Sequence, residues 1–287
     1  TSHLNSLMAI NILIQFVLLS CVGSNLISII EILPKDDRMN VHLSINTPFD
    51  QIKSVQYNHV NDKLLVIGNN GYTWLNNKNE QYELYSSDST YISSTIDQIQ
   101  NITYVLRRLN DYQISVDIIH NDNHDMNTSL LLLANKNYTN IRIDSIHKVI
   151  YAISDDDDDV TSIDVYSLID NYFLKTLIHC GMNHLKQLEI MYLEMTTLLV
   201  MNDGKKICIY NPQNHTNPCV TKTNLNRNIQ IVHFTISNDI IYALLRQNSR
   251  YFVYEILINK VGQSKIKYRI DKDQIPGFIY TKQISRP

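Results

Sequence analysis

The stretch that decides the fold reads KVIYAISDDDDDVTSIDVY and occupies residues 148–166. A short apolar run at 149–153 meets a polar turn, and a second strand-like run follows at 160–166. The first run is rich in β-branched and aromatic residues and is apolar at successive positions, which is typical of a strand covered on both faces. The stretch therefore predicts a β-hairpin in a sheet that packs between two other sheets.

The same apolar strand recurs along the chain. If Leu65, Tyr104, Tyr151, Leu199 and Tyr242 are equivalent, the intervals between repeats are about 39, 47, 48 and 43 residues. Repeats of this length with four short strands each are typical of propeller blades. Two repeats show all four strands, at 140–144, 148–153, 160–166 and 172–179, and at 230–236, 240–245, 251–257 and 264–270. We therefore predict an all-β protein, a β-propeller with five or six four-stranded blades.

Both ends of the chain carry further strand-like pieces outside the five repeats, at 27–32, 39–43 and 277–281. Pairing between strands from the two ends would close the propeller and remove its open edges. The alternative expectation is that the chain is the front part of a longer, C-terminally truncated one. Residues 184–193 also fit a short helix.

The N-terminal segment contains an apolar run at 10–23 that ends in small residues. The run is shorter than the roughly 20 residues of a membrane-spanning helix, and Val22 and Ser24 suit cleavage before Asn25. We expect 1–24 to be leader and signal peptide, and 25–287 to be one secreted β-propeller domain without a membrane span. An uncleaved anchor or a buried helix is the alternative.

Four N-x-[ST] triplets agree with export, and we expect N-glycosylation at their asparagines, Asn101, Asn127, Asn137 and Asn214. If Cys21 is removed with the signal, three cysteines remain in the chain. Cys208 and Cys219 flank a loop with two Asn-Pro pairs, so we predict a disulfide that clips this hairpin. Cys180 is then a buried thiol or a partner for a cysteine elsewhere.

The net charge and the absence of known motifs limit the classes of function that the sequence supports. The net charge of -3 and the pI near 6.3 give no basic field for nucleic acid or anionic membranes. The sequence contains no phosphate-binding glycine loop, G-x-S-x-G or H-E-x-x-H motif. Because propeller sites collect residues from several blades, the candidates are polar residues of innermost strands, although no catalytic residue is assigned: Asp97, Gln98, Arg142, Asp144, Glu189 and His233.

Clustered oxygen ligands occur twice. The run Asp155–Asp159 could hold calcium, since hard cations prefer carboxylates, but a solvated turn is the favoured interpretation. The oxygen-rich segment 121–125 and the pair His120 and His124 are also interpreted as loop. We therefore predict no cofactor or metal.

The hairpin Ile146–Ile153 with Val160–Tyr166 resembles the blades of the YWTD and NHL classes of extracellular propeller, and Lys63–Leu75 looks like the first blade of a semaphorin or plexin domain. These resemblances imply a recognition module. We expect a secreted module that binds an extracellular protein or a glycan. The alternative is a secreted propeller hydrolase, such as a calcium-dependent nucleotidase or a glycosidase.

Overall fold

The computed structural model describes most strands and many of the turns between them. The described residues are 13–21, 26–32, 39–46, 49, 51–58, 60–61, 63–76, 81–86, 89–111, 113–121, 125–132, 136–155, 161–177, 182, 184–193, 196–214, 219–224, 228–237, 240–257, 264–270 and 276–284. Side chains are described for part of these, between residues 49 and 257. Within this part of the chain every regular element is a β-strand, which confirms the all-β prediction.

In chain order the strands are β1 (Leu13–Cys21), β2 (Leu26–Ile32), β3 (Met39–Asn46), β4 (Ile52–Asn58), β5 (Lys63–Gly68), β6 (Gly71–Asn76), β7 (Gln81–Ser86), β8 (Thr90–Asp97), β9 (Ile102–Asn110), β10 (Gln113–His120), β11 (Asp125–Leu131), β12 (Tyr138–Asp144), β13 (Val149–Asp155), β14 (Thr161–Ser167), β15 (Phe173–Leu177), β16 (Gln187–Leu193), β17 (Thr196–Asn202), β18 (Lys206–Tyr210), β19 (Cys219–Asn224), β20 (Ile229–Ser237), β21 (Ile240–Gln247), β22 (Arg250–Leu257), β23 (Ser264–Ile270) and β24 (Pro276–Ile284).

The described strands form small antiparallel sheets of four strands each. Sheets 1 to 5 are consecutive meanders: β4–β7, β8–β11, β12–β15, β16–β19 and β20–β23. A terminal sheet has the order β24-β1-β2-β3, so a strand near the C-terminus pairs with one near the N-terminus. First strands of successive sheets contact each other, from β4 to β8, β12, β16, β20 and β24. The first strands therefore lie side by side along the row of sheets.

The hydrophobic core lies between the faces of successive sheets. On β13, Ile150 and Ala152 pack with Leu106 and Val116 of sheet 2. The alternate residues Tyr151 and Ile153 pack instead toward sheet 4. Because successive side chains of a strand point to opposite faces, a strand buried on both faces must be apolar throughout, as this one is. The prediction of a sheet packed between two neighbours is confirmed.

The five apolar strands that define the repeat are β5, β9, β13, β17 and β21, which are the second strands of sheets 1 to 5. The three strand-like pieces at the chain ends are β2, β3 and β24. Asparagine also makes turns, as expected for a chain with few glycines: Asn101, Asn171 and Asn248 have positive φ, a conformation that asparagine tolerates better than most residues.

Two segments that the sequence predicts to be something other than a strand contain strands in the structure. Residues 187–193 form β16, not a helix, because all seven residues pair with β17 and its apolar residues pack alternately into the cores toward sheet 3 and sheet 5. The segment 10–23 contains β1, which lies between β24 and β2. Cleavage before Asn25 would remove β1 from this sheet and leave β24 and β2 without their shared partner. Among the described residues, no helix has the length and apolar character needed to cross a membrane.

Candidate functional site

A cavity of about 250 Å³ lies among the first strands of sheets 1 to 5. Its lining comes from β4, β8, β12, β16 and β20 and from the turns that follow β8 and β12. Apolar side chains, mostly isoleucine, cover part of the wall. The lining residues with polar groups in their side chains are Gln56, Tyr57, Thr95, Gln98, Arg142, Ser145, Glu189, Tyr192, His233 and Thr235. The cavity therefore joins residues that are far apart in the sequence.

An ion pair between two sheets forms one side of the cavity. Arg142 on β12 donates from Nε to Oε2 of Glu189 at 3.0 Å and from Nη2 to Oε1 at 2.7 Å, with Glu189 on β16. Nη1 of Arg142 donates to the carbonyl of Ile141 at 2.7 Å and to the Oδ1 of Asn140 at 2.9 Å. This bidentate geometry fixes both side chains and neutralises their charges.

Gln187 continues the polar contacts from sheet 4 to sheet 5. Its Nε2 donates to the carbonyl of Phe234 at 2.8 Å, and its Oε1 accepts from the backbone N–H of Phe234 at 2.9 Å. The same Nε2 lies 3.0 Å from Oε1 of Glu189 and 3.2 Å from Nε2 of His233. The two amide protons of Gln187 are directed to Phe234 and Glu189, and the imidazole of His233 lies beside them.

Ser93 extends the polar contacts to sheet 2. Its hydroxyl donates to the Oδ1 of Asn140 at 2.8 Å, and Asn140 is the residue that also accepts from Arg142. A continuous series of hydrogen bonds therefore runs through the first strands of sheets 2 to 5. We call this series the inter-sheet belt and define it by Ser93, Asn140, Arg142, Glu189, Gln187 and Phe234. The belt holds one wall of the cavity in a single arrangement.

Four of the six predicted candidates line the cavity: Gln98, Arg142, Glu189 and His233. Gln98 is oriented by a bond from its Nε2 to the carbonyl of Tyr57 at 2.9 Å. Asp97 and Asp144 are not among the lining residues. Both are buried at the ends of first strands, where they accept backbone N–H bonds from the following turn. The structure therefore divides the predicted set into a cavity group and a turn-capping pair.

Asp144 accepts hydrogen bonds on both carboxylate oxygens. Its Oδ1 accepts from the backbone N–H groups of Ile146 and His147, both at 3.0 Å, and from the Tyr192 hydroxyl at 3.2 Å. Its Oδ2 lies 2.8 Å from the Thr197 hydroxyl and 2.8 Å from Nδ1 of His147. Burial raises the pKa of Asp144, but the bonds from His147 and Thr197 outweigh burial and hold the pKa below its ordinary 3.8.

Asp97 occupies the same position one sheet earlier. Its Oδ1 accepts from the backbone N–H groups of Ile99 at 2.9 Å and Gln100 at 3.0 Å. Its Oδ2 is buried and has no hydrogen-bond partner among the described residues. Burial and the nearby Asp97 carboxylate raise the pKa of Tyr104 to about 12. Asp97 is therefore a half-satisfied counterpart of Asp144.

The sequence-based prediction missed Ser93, Asn140 and Gln187, although a signal for them exists. Ser93, Asn140, Gln187 and Phe234 follow one another at intervals of 47 residues. The ion pair of Arg142 and Glu189 spans the same interval. Polar residues that recur at the repeat period on first strands mark the belt. His147 contacts Asp144 from three residues away, so this contact carries no such periodic signal.

The predicted glycosylation sites differ in their surroundings. Asn137 and Asn214 are exposed, whereas the Oδ1 of Asn101 accepts amide bonds from Asn58 at 3.0 Å and Asn121 at 3.1 Å. The side chain of Asn127 lies outside the described residues. Glycosylation stays a prediction at all four positions.

The structure gives no support to the predicted disulfide. Cys208 is buried on β18, where its ladder partner is Lys222, while Cys219 lies opposite Tyr210. The two cysteines are therefore about three residues apart along the ladder, roughly 10 Å, and a disulfide requires Cα atoms within about 7 Å. The side chain of Cys219 and all of Cys180 lie outside the described residues.

The suggested metal ligands fall mostly outside the described part of the chain. Of the run 155–159 only Asp155 is described, and its Oδ1 accepts from the Thr161 hydroxyl at 3.0 Å. His124 also lies outside, while His120 ends β10. Among the described residues no group of three or more His, Cys, Asp or Glu side chains has the spacing of a metal site.

Comparisons with known proteins add a fold neighbour. No protein-family model matches the sequence, and no curated protein matches it. Among solved structures, the chain is similar to a protein of unknown function from Bacteroides caccae, with a TM-score of 0.66 and 11% sequence identity. The match covers 94% of this chain and 99% of that one. At this identity the likeness concerns the fold alone.

Proposed function

We propose that the chain is a six-bladed β-propeller in which each four-stranded sheet is one blade. The contacts between successive first strands and the cores between successive sheets support this arrangement. In this proposal the terminal sheet is the sixth blade, and the pairing of β24 with β1 closes the ring. Closure of this kind removes the exposed edges that an open row of sheets would keep.

The proposed function is that of a secreted recognition module for an extracellular protein or glycan. The observation that carries it is the cavity, because first strands of five sheets supply its wall and the inter-sheet belt fixes its polar groups in advance. Preformed concave sites with a few oriented polar groups are typical of ligand-binding sites. The partner would place a small polar group into this cavity.

A pair of bulky substitutions on β4 tests this function. Gln56 lines the cavity, whereas Lys53 on the same strand is exposed and lies outside the lining. We expect Gln56→Trp to abolish binding to a glycan array and to cell-surface extracts, and Lys53→Trp to leave binding unchanged. Equal binding by the two variants, with both folded by circular dichroism, would reject the cavity as the recognition site.

Export is proposed together with this function, and exposed Asn137 and Asn214 are its best glycosylation sites. We propose that β1 is retained, because it pairs with both β2 and β24. In this proposal the run at 10–23 is not a cleaved signal, and the glycosylation sites carry the argument for export. Mass spectrometry of the exported protein should then find peptides from 13–21. A mature N-terminus at Asn25 would contradict the proposed sixth blade and support the cleaved signal.

A propeller hydrolase is the second candidate, and one observation favours it. Asp144 binds Nδ1 of His147, whose side chain is 40% exposed. With Nδ1 bound to the carboxylate, Nε2 is the acceptor nitrogen, as in an imidazole general base, and it lies 3.5 Å from Nε2 of exposed Gln213. Hydrolysis of a nucleotide or glycoside, with or without calcium, that His147→Ala abolishes would support this candidate. No turnover by the wild-type protein across both substrate classes would reject it.

A further inference from the structure

The cavity exposes the acidic member of its ion pair. The side chain of Arg142 is only 6% exposed, whereas that of Glu189 is 23% exposed. Arg142 also directs Nε and Nη1 to protein acceptors. A ligand in the cavity therefore meets a carboxylate that can accept hydrogen bonds, with the guanidinium held behind it.

Besides the ion pair, the lining contains one further basic side chain, His233, which lies beside the amide of Gln187. Burial and the Asp144 carboxylate raise the pKa of Tyr192, a lining residue, so its hydroxyl stays neutral at physiological pH. Its hydroxyl donates to the buried carboxylate of Asp144, which adds a negative charge behind this wall. Charge complementarity at a binding site disfavours a like-charged partner. An anion would face the more exposed carboxylate of Glu189, while the Arg142 guanidinium that balances this charge is only 6% exposed.

The remaining lining suits hydroxyl groups and an apolar ring face. Gln56 and Gln98 contribute amides, and the threonines and Ser145 contribute hydroxyls, beside an apolar surface of isoleucines. The volume of about 250 Å³ lies just below the roughly 300–1,000 Å³ of sites for drug-sized ligands. A ligand of one small ring fits this size.

We infer that the cavity selects a neutral, hydroxyl-bearing ligand of the size of one sugar ring over its anionic counterparts. The inference rests on the proposed recognition function and names the ligand class of the same cavity. In it a ligand hydroxyl donates to Oε2 of Glu189, which accepts from Nε of Arg142, whereas Oε1 already accepts from Arg142 and Gln187. The amide of Gln98 contributes a second polar contact.

Calorimetric titration of the full chain tests the inference with matched sugars. The probes are glucose, galactose, mannose and N-acetylglucosamine, compared with glucuronate, galacturonate, sulfate and phosphate. We expect at least one neutral sugar to bind at least tenfold more tightly than any of the anions. Tighter or equal binding of an anion would overturn the inference, and so would no binding by any neutral sugar.

Two variants test the role of the carboxylate. Glu189→Gln should weaken the neutral sugar about tenfold and bring the uronate to equal or tighter binding, because Arg142 then keeps an uncompensated charge. Asp170→Asn removes an equivalent charge from an exposed turn and should change neither value. Gln98→Ala, which leaves the ion pair intact, should weaken neutral sugars at least threefold. Unchanged sugar binding in both Glu189→Gln and Gln98→Ala would overturn the inference.

The two proposals fail in different ways. If Gln56→Trp abolishes partner binding but no neutral sugar binds the wild-type protein, the recognition site stands and the ligand class is wrong. If Gln56→Trp leaves partner binding intact, the recognition site itself is rejected.

Discussion

Asp97 and Asp144 are buried carboxylates at the same position in successive sheets, and their surroundings differ. Each ends a first strand and accepts two backbone N–H bonds from the next turn. Asp144 also accepts from Tyr192, Thr197 and His147, whereas the Oδ2 of Asp97 has no partner among the described residues. The two repeats therefore share the backbone hydrogen bonds of the turn, and they differ in the side chains that bind the second carboxylate oxygen.

The register explains the difference. In sheet 4, Tyr192 pairs with Thr197, and both hydroxyls reach Asp144 from across the sheet interface. At the 47-residue interval, the positions of Tyr192 and Thr197 are occupied in sheet 3, which follows Asp97, by Ser145 and Ile150. Within the turns, Gln100 stands where the later repeat has His147. Three substitutions between repeats thus turn a fully bonded carboxylate into a half-bonded one.

The largest expected effect separates the two aspartates directly. Asp144→Ala leaves the buried Thr197 hydroxyl and two turn N–H groups without their acceptor, so we expect a loss of about 3 kcal/mol in the free energy of unfolding. Asp97→Ala removes only a turn cap, with a cost of about 1 kcal/mol. Urea denaturation of both variants measures the difference. Equal losses would show that the additional bonds of Asp144 contribute nothing.

The Thr197 hydroxyl should account for much of that difference. Thr197→Val keeps the shape but removes a donor to a charged oxygen, so we expect a loss of about 2 kcal/mol. Thr197→Ser keeps the hydroxyl and is the matched control, with a smaller loss from one missing methyl group. Urea denaturation measures both losses. If Thr197→Val were more stable than Thr197→Ser, this account would be contradicted.

Hydrogen-bond donors of the later repeat, placed at the equivalent positions around Asp97, should supply its Oδ2 with partners. The double variant Gln100→His and Ile150→Thr places the two donor types of the later repeat beside the unpaired Oδ2. We expect the new bonds to exceed the packing loss at Ile150, with a net gain of about 1 kcal/mol. The control is Ile150→Thr alone, which should be destabilising. A double variant no more stable than this control would refute the equivalence of the two positions.

The smallest expected difference appears in acid. Because the pKa of Asp144 is lowered on folding, its contribution is complete above the unfolded-state pKa near 3.8 and is lost as the pH falls through the folded-state value. As the pH falls below about 4, the free energy of unfolding should therefore decrease less in Asp144→Asn than in the wild-type protein. The effect is modest, since burial opposes the hydrogen bonds. Parallel acid dependences would contradict the lowered pKa.

The sequence predicts the strands better than it predicts the contacts between sheets. The apolar second strands were found because burial on both faces leaves a continuous run, as in Val149–Ile153. Residues 187–193 were ambiguous, since pairing with β17 decides their conformation and short apolar runs carry no clear period. The apolar run at 10–23 fits a signal and a paired strand equally well, because both require apolar residues.

The candidate site was predicted in part for the same reason. Arg142, Glu189, Gln98 and His233 were found as polar residues on predicted first strands. Gln187 and Asn140 were missed because their role depends on residues 47 positions away. A search for polar residues at the repeat period would have found the inter-sheet belt. The link between Asp144 and Thr197, which are 53 residues apart, has no such period.

The central claim is that the first strands enclose a ligand site, and a crystal structure at a saturating concentration of a neutral sugar tests it most directly. We predict one sugar ring in the cavity, with a hydroxyl within hydrogen-bond distance of Glu189. A sugar bound elsewhere on the protein, with the cavity empty at saturation, would contradict the account.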